Sequence, residues 1–70
     1  MPLTMLNTGE EAQIQRISGK EEAKHFLSSL GFVPGETVSV VTKTNGNLIV
    51  HVKDARIALD EGMCNKIHVQ

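Results

Sequence analysis

Ala23-Lys24-His25-Phe26-Leu27-Ser28-Ser29-Leu30-Gly31-Phe32-Val33-Pro34-Gly35-Glu36-Thr37-Val38-Ser39-Val40 carries a helix, its stop, a turn and the start of a strand without a break. Ala23, Phe26, Leu27 and Leu30 stand at i, i+3, i+4 and i+7, which predicts one buried helical stripe. Upstream, Ser18 and Glu21 have the spacing of a capping box, and Glu21 with Glu22 places negative charge where the helix dipole favours it. Gly31 supplies a left-handed residue past the helix end, Phe32 can fold back on Leu27, and Pro34 keeps the helix from resuming. Val33-Pro34-Gly35-Glu36 then reads as a type II turn, with proline at its second position and glycine at its third. The turn launches a β-branched strand over Thr37 to Thr42, with Val38 and Val40 facing one way.

Working outward, Asn47 to Val52 answers that strand, with Leu48, Val50 and Val52 on one face. A two-residue loop at Asn45-Gly46 sets Val40 against His51 and mixes the faces. A three-residue loop, Thr44-Asn45-Gly46, pairs Val40 with Val50 and Val38 with Val52. A one-residue slip inverts a strand's faces, so the longer loop is expected, as a type I turn plus a bulge with Gly46 left-handed. Ala55 to Leu59 reads as a further strand with Ile57 and Leu59 inward. Asp60 to Asn65 reads as one helical turn, and Lys66 to Val69 as a last strand with Ile67 and Val69 inward. Towards the N-terminus, Glu11 to Ile17 alternates with Ala12 and Ile14 on one face, and Ile17 breaks the period near Arg16. Leu3 and Leu6, one helical turn apart, form an apolar lead-in that ends at Asn7-Thr8-Gly9. The order is strand, helix, three strands, a turn of helix, strand. That predicts one mainly β domain over residues 1–70, with five short strands curled into a partly open barrel and the helix between the first and second strands.

Composition bounds the function. The chain has 70 residues, 40% of them hydrophobic and 21% charged, which marks a globular domain with little mass for a deep catalytic cleft. Seven Lys plus Arg against eight Asp plus Glu give a net charge of -1, without the positive excess that grips nucleic acid. Tyr and Trp are absent and Phe occurs twice, so platforms for stacking bases are missing. The single cysteine excludes an internal disulfide and favours a reducing compartment. No apolar run reaches the ~20 residues that span a bilayer, and the N-terminus lacks the basic region of a signal peptide. A cytoplasmic location is expected.

The chemistry-bearing residues are sparse. His25, His51 and His68 lie on three elements, without the paired spacing of a structural zinc site. His51, Cys64 and His68 are the one set from which a metal site could be assembled in space; the plainer reading is surface histidine and a packed thiol. Cys64 as a nucleophile needs a base and a cationic setting that nothing in the sequence supplies. Gly31 to Gly35 lies after a helix and before a strand, the reverse of a phosphate loop. Lys43, Lys53, Arg56 and Lys66 fall near strand ends and form at most a modest basic patch. The residues by themselves describe a non-enzymatic adaptor without a cofactor.

Three stretches resemble the FeoA family of ferrous iron transport proteins: Leu3-Thr4-Met5-Leu6-Asn7-Thr8-Gly9-Glu10, then Leu30 to Val38, then Arg56-Ile57-Ala58-Leu59 with Met63 and Ile67-His68-Val69. The resemblance spans essentially the whole chain and implies an SH3-like barrel. It further implies a cytoplasmic accessory role in bacterial ferrous iron uptake, with the membrane transporter FeoB and its cytoplasmic GTPase domain as partner. It supplies no catalytic residues. A partner surface is expected around Lys43 and Asn45 of the hairpin, Arg56, and the loop holding Phe32 and Val33, so that glutamate at Lys43 and Arg56 weakens FeoB binding. A homo-oligomer is open. Two alternatives are a carrier of Fe²⁺ or Zn²⁺ and an SH3-like accessory domain akin to those of metal-responsive repressors; the second is disfavoured by the short chain and the lack of a DNA-reading helix pair.

Overall fold

A computed structural model describes residues 1–70. A 3-10 turn at Leu3–Met5 leads into β1 (Glu11–Ile17) and α1 (Glu21–Ser29). Then follow β2 (Thr37–Thr44), β3 (Asn47–Val52), β4 (Ala55–Asp60), the short α2 (Glu61–Cys64) and β5 (Ile67–Val69). The strands form one antiparallel sheet in the order β4-β3-β2-β1-β5. β4 and β5 do not pair with each other, so the sheet stays open, as the expected partly open barrel requires.

The end of α1 is as the sequence dictates. Gly31 takes φ +104°, its N–H donates to the Ser28 carbonyl at 3.0 Å, and the Phe32 N–H donates to the Leu27 carbonyl at 3.0 Å. That pair is the Schellman arrangement, and it drops Phe32 into the core with 0% of its surface exposed. Glu36 N–H to the Val33 carbonyl, 3.1 Å, closes the following turn.

The start of α1 differs from expectation. Its N-cap is Lys20, which makes no side-chain cap bond, so Ser18 lies too far upstream for a capping box. Ser18 is engaged elsewhere: its N–H donates to the Lys66 carbonyl at 2.8 Å, extending the pairing of β1 with β5. Phe26 also departs from the expected stripe and is 47% exposed, while Leu27 is fully buried and Ala23 and Leu30 are half-buried. The stripe centres on Leu27, and the aromatic that the core takes in is Phe32, not Phe26.

The β2–β3 hairpin satisfies both halves of the register conflict. Val38 pairs with Val52 and Val40 with Val50, as expected, yet Thr44 pairs with Asn47 across a two-residue Asn45-Gly46 loop. The extra residue is absorbed as a bulge at Val41, between Val40 and Thr42, so the expected three-residue loop is corrected. Gly46 is left-handed at φ +79°. A second bulge between Ile14 and Arg16, against β5, explains why Ile17 breaks the period of β1.

The core is one cluster drawn from every strand, both helices and the 3-10 turn, with Ala12, Ile17, Leu30, Ile57 and Met63 packed around it. Leu3 and Leu6 belong to it, so the lead-in is structural. Thr4 Oγ1 donates to Asn65 Oδ1 at 2.6 Å and Lys43 Nζ to the Thr4 carbonyl at 3.2 Å, which pins the lead-in between β2 and the end of α2. Asp60 caps α2 by accepting the Met63 N–H at 2.7 Å.

Candidate partner surface

Strand register sorts the candidate residues. Directly paired residues point to the same face, and neighbours along a strand to opposite faces. Glu11, Ser39, His51 and Arg56 pair in sequence across β1, β2, β3 and β4, forming one polar row on the outer face of the sheet. Lys43 pairs with the buried Leu48, so it stands on the core-side face at its rim, where it reaches the Thr4 carbonyl. Lys43 and Arg56 are therefore on opposite faces and do not form the single patch expected from their positions near strand ends.

Asn45 is exposed at the hairpin tip with Lys43. Val33 is half-buried, and Phe32 is sealed in the core, so Phe32 offers no side chain to a partner. That corrects its place among the surface candidates: the Schellman turn that Gly31 permits directs it inward. At the Arg56 end of β3 and β4, Lys53 adopts φ +55° in the connecting turn and pairs with Glu36 at 3.6 Å. The left-handed region is uncommon for a residue with a Cβ.

The metal candidates are not brought together. No group of three His, Cys, Asp or Glu side chains has the geometry to hold an ion. His51 is exposed in the outer row between Ser39 and Arg56. His68 Nε2 shares a 3.1 Å hydrogen bond with Ser18 Oγ. Desolvation, then the nearby Arg16 guanidinium and the N-terminal ammonium, hold the His68 imidazole below its ordinary pKa. Cys64 is fully buried, and burial, with the Asp60 and Glu61 carboxylates adding to it, pushes its thiol up to about 11. A thiol so protonated lacks the thiolate that acts as a nucleophile at neutral pH. A surface depression lies at the start of α1 between Lys20 and Lys66, with Glu22 lining it beside them.

The FeoA domain model matches residues 1–70. The chain belongs to the FeoA family. A Methanocaldococcus jannaschii protein named as a candidate Fe(2+) transport protein A is 32% identical over 69 residues, 99% of this chain and 84% of that protein. The crystal structure of Stenotrophomonas maltophilia FeoA complexed with zinc, described as a prokaryotic SH3 domain protein, superposes with a TM-score of 0.88 at 28% identity. It covers 100% of this chain and 89% of that one. A manganese-dependent transcriptional repressor matches 99% of this chain and 40% of its own length, with a TM-score of 0.90 at 19% identity, a likeness of fold alone.

FeoA proteins are small domains of ferrous iron transport, not a known enzyme family, and the SH3-like fold expected from the sequence holds for this chain. No helix is long and apolar enough to cross a membrane. What sequence reasoning missed is the outer row. Its signal was available in the alternation of β2 and β3, because the expected pairs Val40–Val50 and Val38–Val52 already set Ser39 opposite His51.

Proposed function

We propose that this chain is a cytoplasmic accessory protein of prokaryotic ferrous iron uptake that docks on the membrane transporter FeoB and modulates its GTPase and transport activity. The observation that carries this reading is the FeoA match over residues 1–70. Docking changes a transporter only through unequal affinity for its conformations. The experiment is binding and GTP hydrolysis of full-length FeoB in membranes, with and without the chain. Saturable binding with an altered rate of hydrolysis is the expected result; absence of binding overturns it.

Lys43→Glu and Arg56→Glu are tested singly, because one flat contact cannot cover both faces. Loss of affinity in one variant names the docking face, and unchanged affinity in both removes these residues from it. The zinc in the Stenotrophomonas relative favours a second reading, a metal-carrying module. Anaerobic titration with Fe²⁺ separates the two: stoichiometric tight binding supports the carrier, and none supports the adaptor.

A further inference from the structure

An antiparallel sheet that stays open has two edges, and here only one is covered. At β5, Met1 donates its N-terminal ammonium to the Val69 carbonyl at 2.9 Å and accepts the Val69 N–H at 2.7 Å, while Pro2 bridges His68. β4 has no such cover. Val52 and Ala55 close the two-residue turn between β3 and β4, so they form a hydrogen-bonded pair. Alternating from that pair, Ile57 and Leu59 also bond to β3, whereas Arg56, Ala58 and Asp60 direct their amide groups away from the sheet. No turn, loop or cap backbone bond uses the N–H groups of these three residues or the Arg56 and Ala58 carbonyls. β4 contains no proline or bulge to blunt the bare edge, and its two charged residues, Arg56 and Asp60, are of opposite sign.

We infer that this edge is a self-association site, where β4 pairs antiparallel with β4 of a second copy about a two-fold axis through Ala58. Charge and register select that centre. A two-fold at Arg56 sets guanidinium against guanidinium, and one at Asp60 sets carboxylate against carboxylate. Centring on Ile57 or Leu59 leaves both charges without a partner opposite. Centring on Ala58 sets Arg56 against the partner's Asp60 on the outer face, twice by symmetry, and Ile57 against the partner's Leu59 on the core side. Every side chain keeps its face, and opposite charges directly across an antiparallel pair are favourable.

Asp60 Oδ1 accepts the Met63 N–H, which leaves Oδ2 for the guanidinium. The Asp60 carbonyl, as the N-cap of α2, is committed to the helix. The join therefore has roughly four backbone hydrogen bonds: two between the Ala58 residues, and one from each Asp60 N–H to the other copy's Arg56 carbonyl. The occupant is a second copy and not another strand, because this edge is complementary to itself.

Sedimentation of the full chain from micromolar to millimolar concentration tests this. The wild type is expected to move reversibly from monomer to dimer. Arg56→Glu, which faces a carboxylate with a carboxylate, weakens dimerisation by about tenfold or more. Ala58→Pro removes an outward N–H without touching the β3 ladder and also yields a monomer. Ala58→Cys brings two thiols to a Cα spacing of about 5.5 Å, within disulfide reach, so oxidation should give a covalent dimer. Thr37→Cys, away from the edge, is the control. A wild type that stays monomeric at millimolar concentration overturns the proposal. So does a dimer that survives both Arg56→Glu and Ala58→Pro, or Ala58→Cys that cross-links no faster than Thr37→Cys. If either of the first two variants fails to fold by circular dichroism, the cross-linking comparison decides.

Discussion

Along β5 the outermost strand is three residues long, and its Val69 exchanges both backbone bonds with Met1. Along β4 the outermost strand is six residues long, and it carries Arg56 and Asp60 on the outer face with no further strand on its open side. The difference teaches how one segment, Met1 and Pro2, sets the two edges apart. The N-terminal residues stabilise the monomer by closing one edge and burying Leu3 and Leu6 beneath it, which leaves the other edge as contact surface.

Four changes test that division, and they rank by size. Leu3→Ala attacks the closed side: a fully buried leucine is lost and the segment carrying Met1 is loosened. Urea unfolding should show a loss of about 2–5 kcal/mol. Next is Cys64, on the α2 that packs against the 3-10 turn. Burial lifts its folded pKa to about 11, above the ordinary thiol value of 9.0, so above pH 9 the unfolded chain loses a proton that the folded chain keeps. Stability then falls as pH rises from 9 to 11, by about 2–3 kcal/mol in all, and Cys64→Ala removes that slope. Third, Asp60→Ala removes the α2 cap at the end of the open strand and should cost about 1 kcal/mol. Smallest is Arg56→Glu, which should change monomer unfolding by less than about 0.5 kcal/mol while altering contacts with other chains. A large loss of monomer stability from Arg56→Glu would erase the contrast between the edges.

Much of this arrangement was legible in the sequence because local physics and tertiary packing agree there. Gly31 and Phe32 specify the helix end, Pro34-Gly35 the turn, and the valines of β2 and β3 the face they bury. The disagreements have identifiable causes. Helical periodicity places Phe26 and Leu27 in one stripe but cannot say which aromatic fills the core, and Phe32, arriving from outside the helix, fills it. Ser18 has a capping-box spacing, yet its bond to Lys66 lies 48 residues away, beyond any local rule. The two-residue and three-residue hairpins conflicted because a bulge at Val41 lay outside the loop being counted.

The candidate surface was less legible than the fold. Lys43 and Arg56 look equivalent as basic residues near strand ends, and only the register places them on opposite faces. The cover that Met1 and Pro2 lay over β5 has no pattern in composition or periodicity, because it depends on a contact between residues 68 positions apart.

Amide hydrogen exchange, read residue by residue at two protein concentrations, tests the unequal edges most directly. In dilute solution Val69 should be protected while Ala58 and Asp60 exchange freely, and in concentrated solution Ala58 and Asp60 should slow with Val69 unchanged. Val69 exchanging as fast as Ala58, or Ala58 indifferent to concentration, would contradict the account.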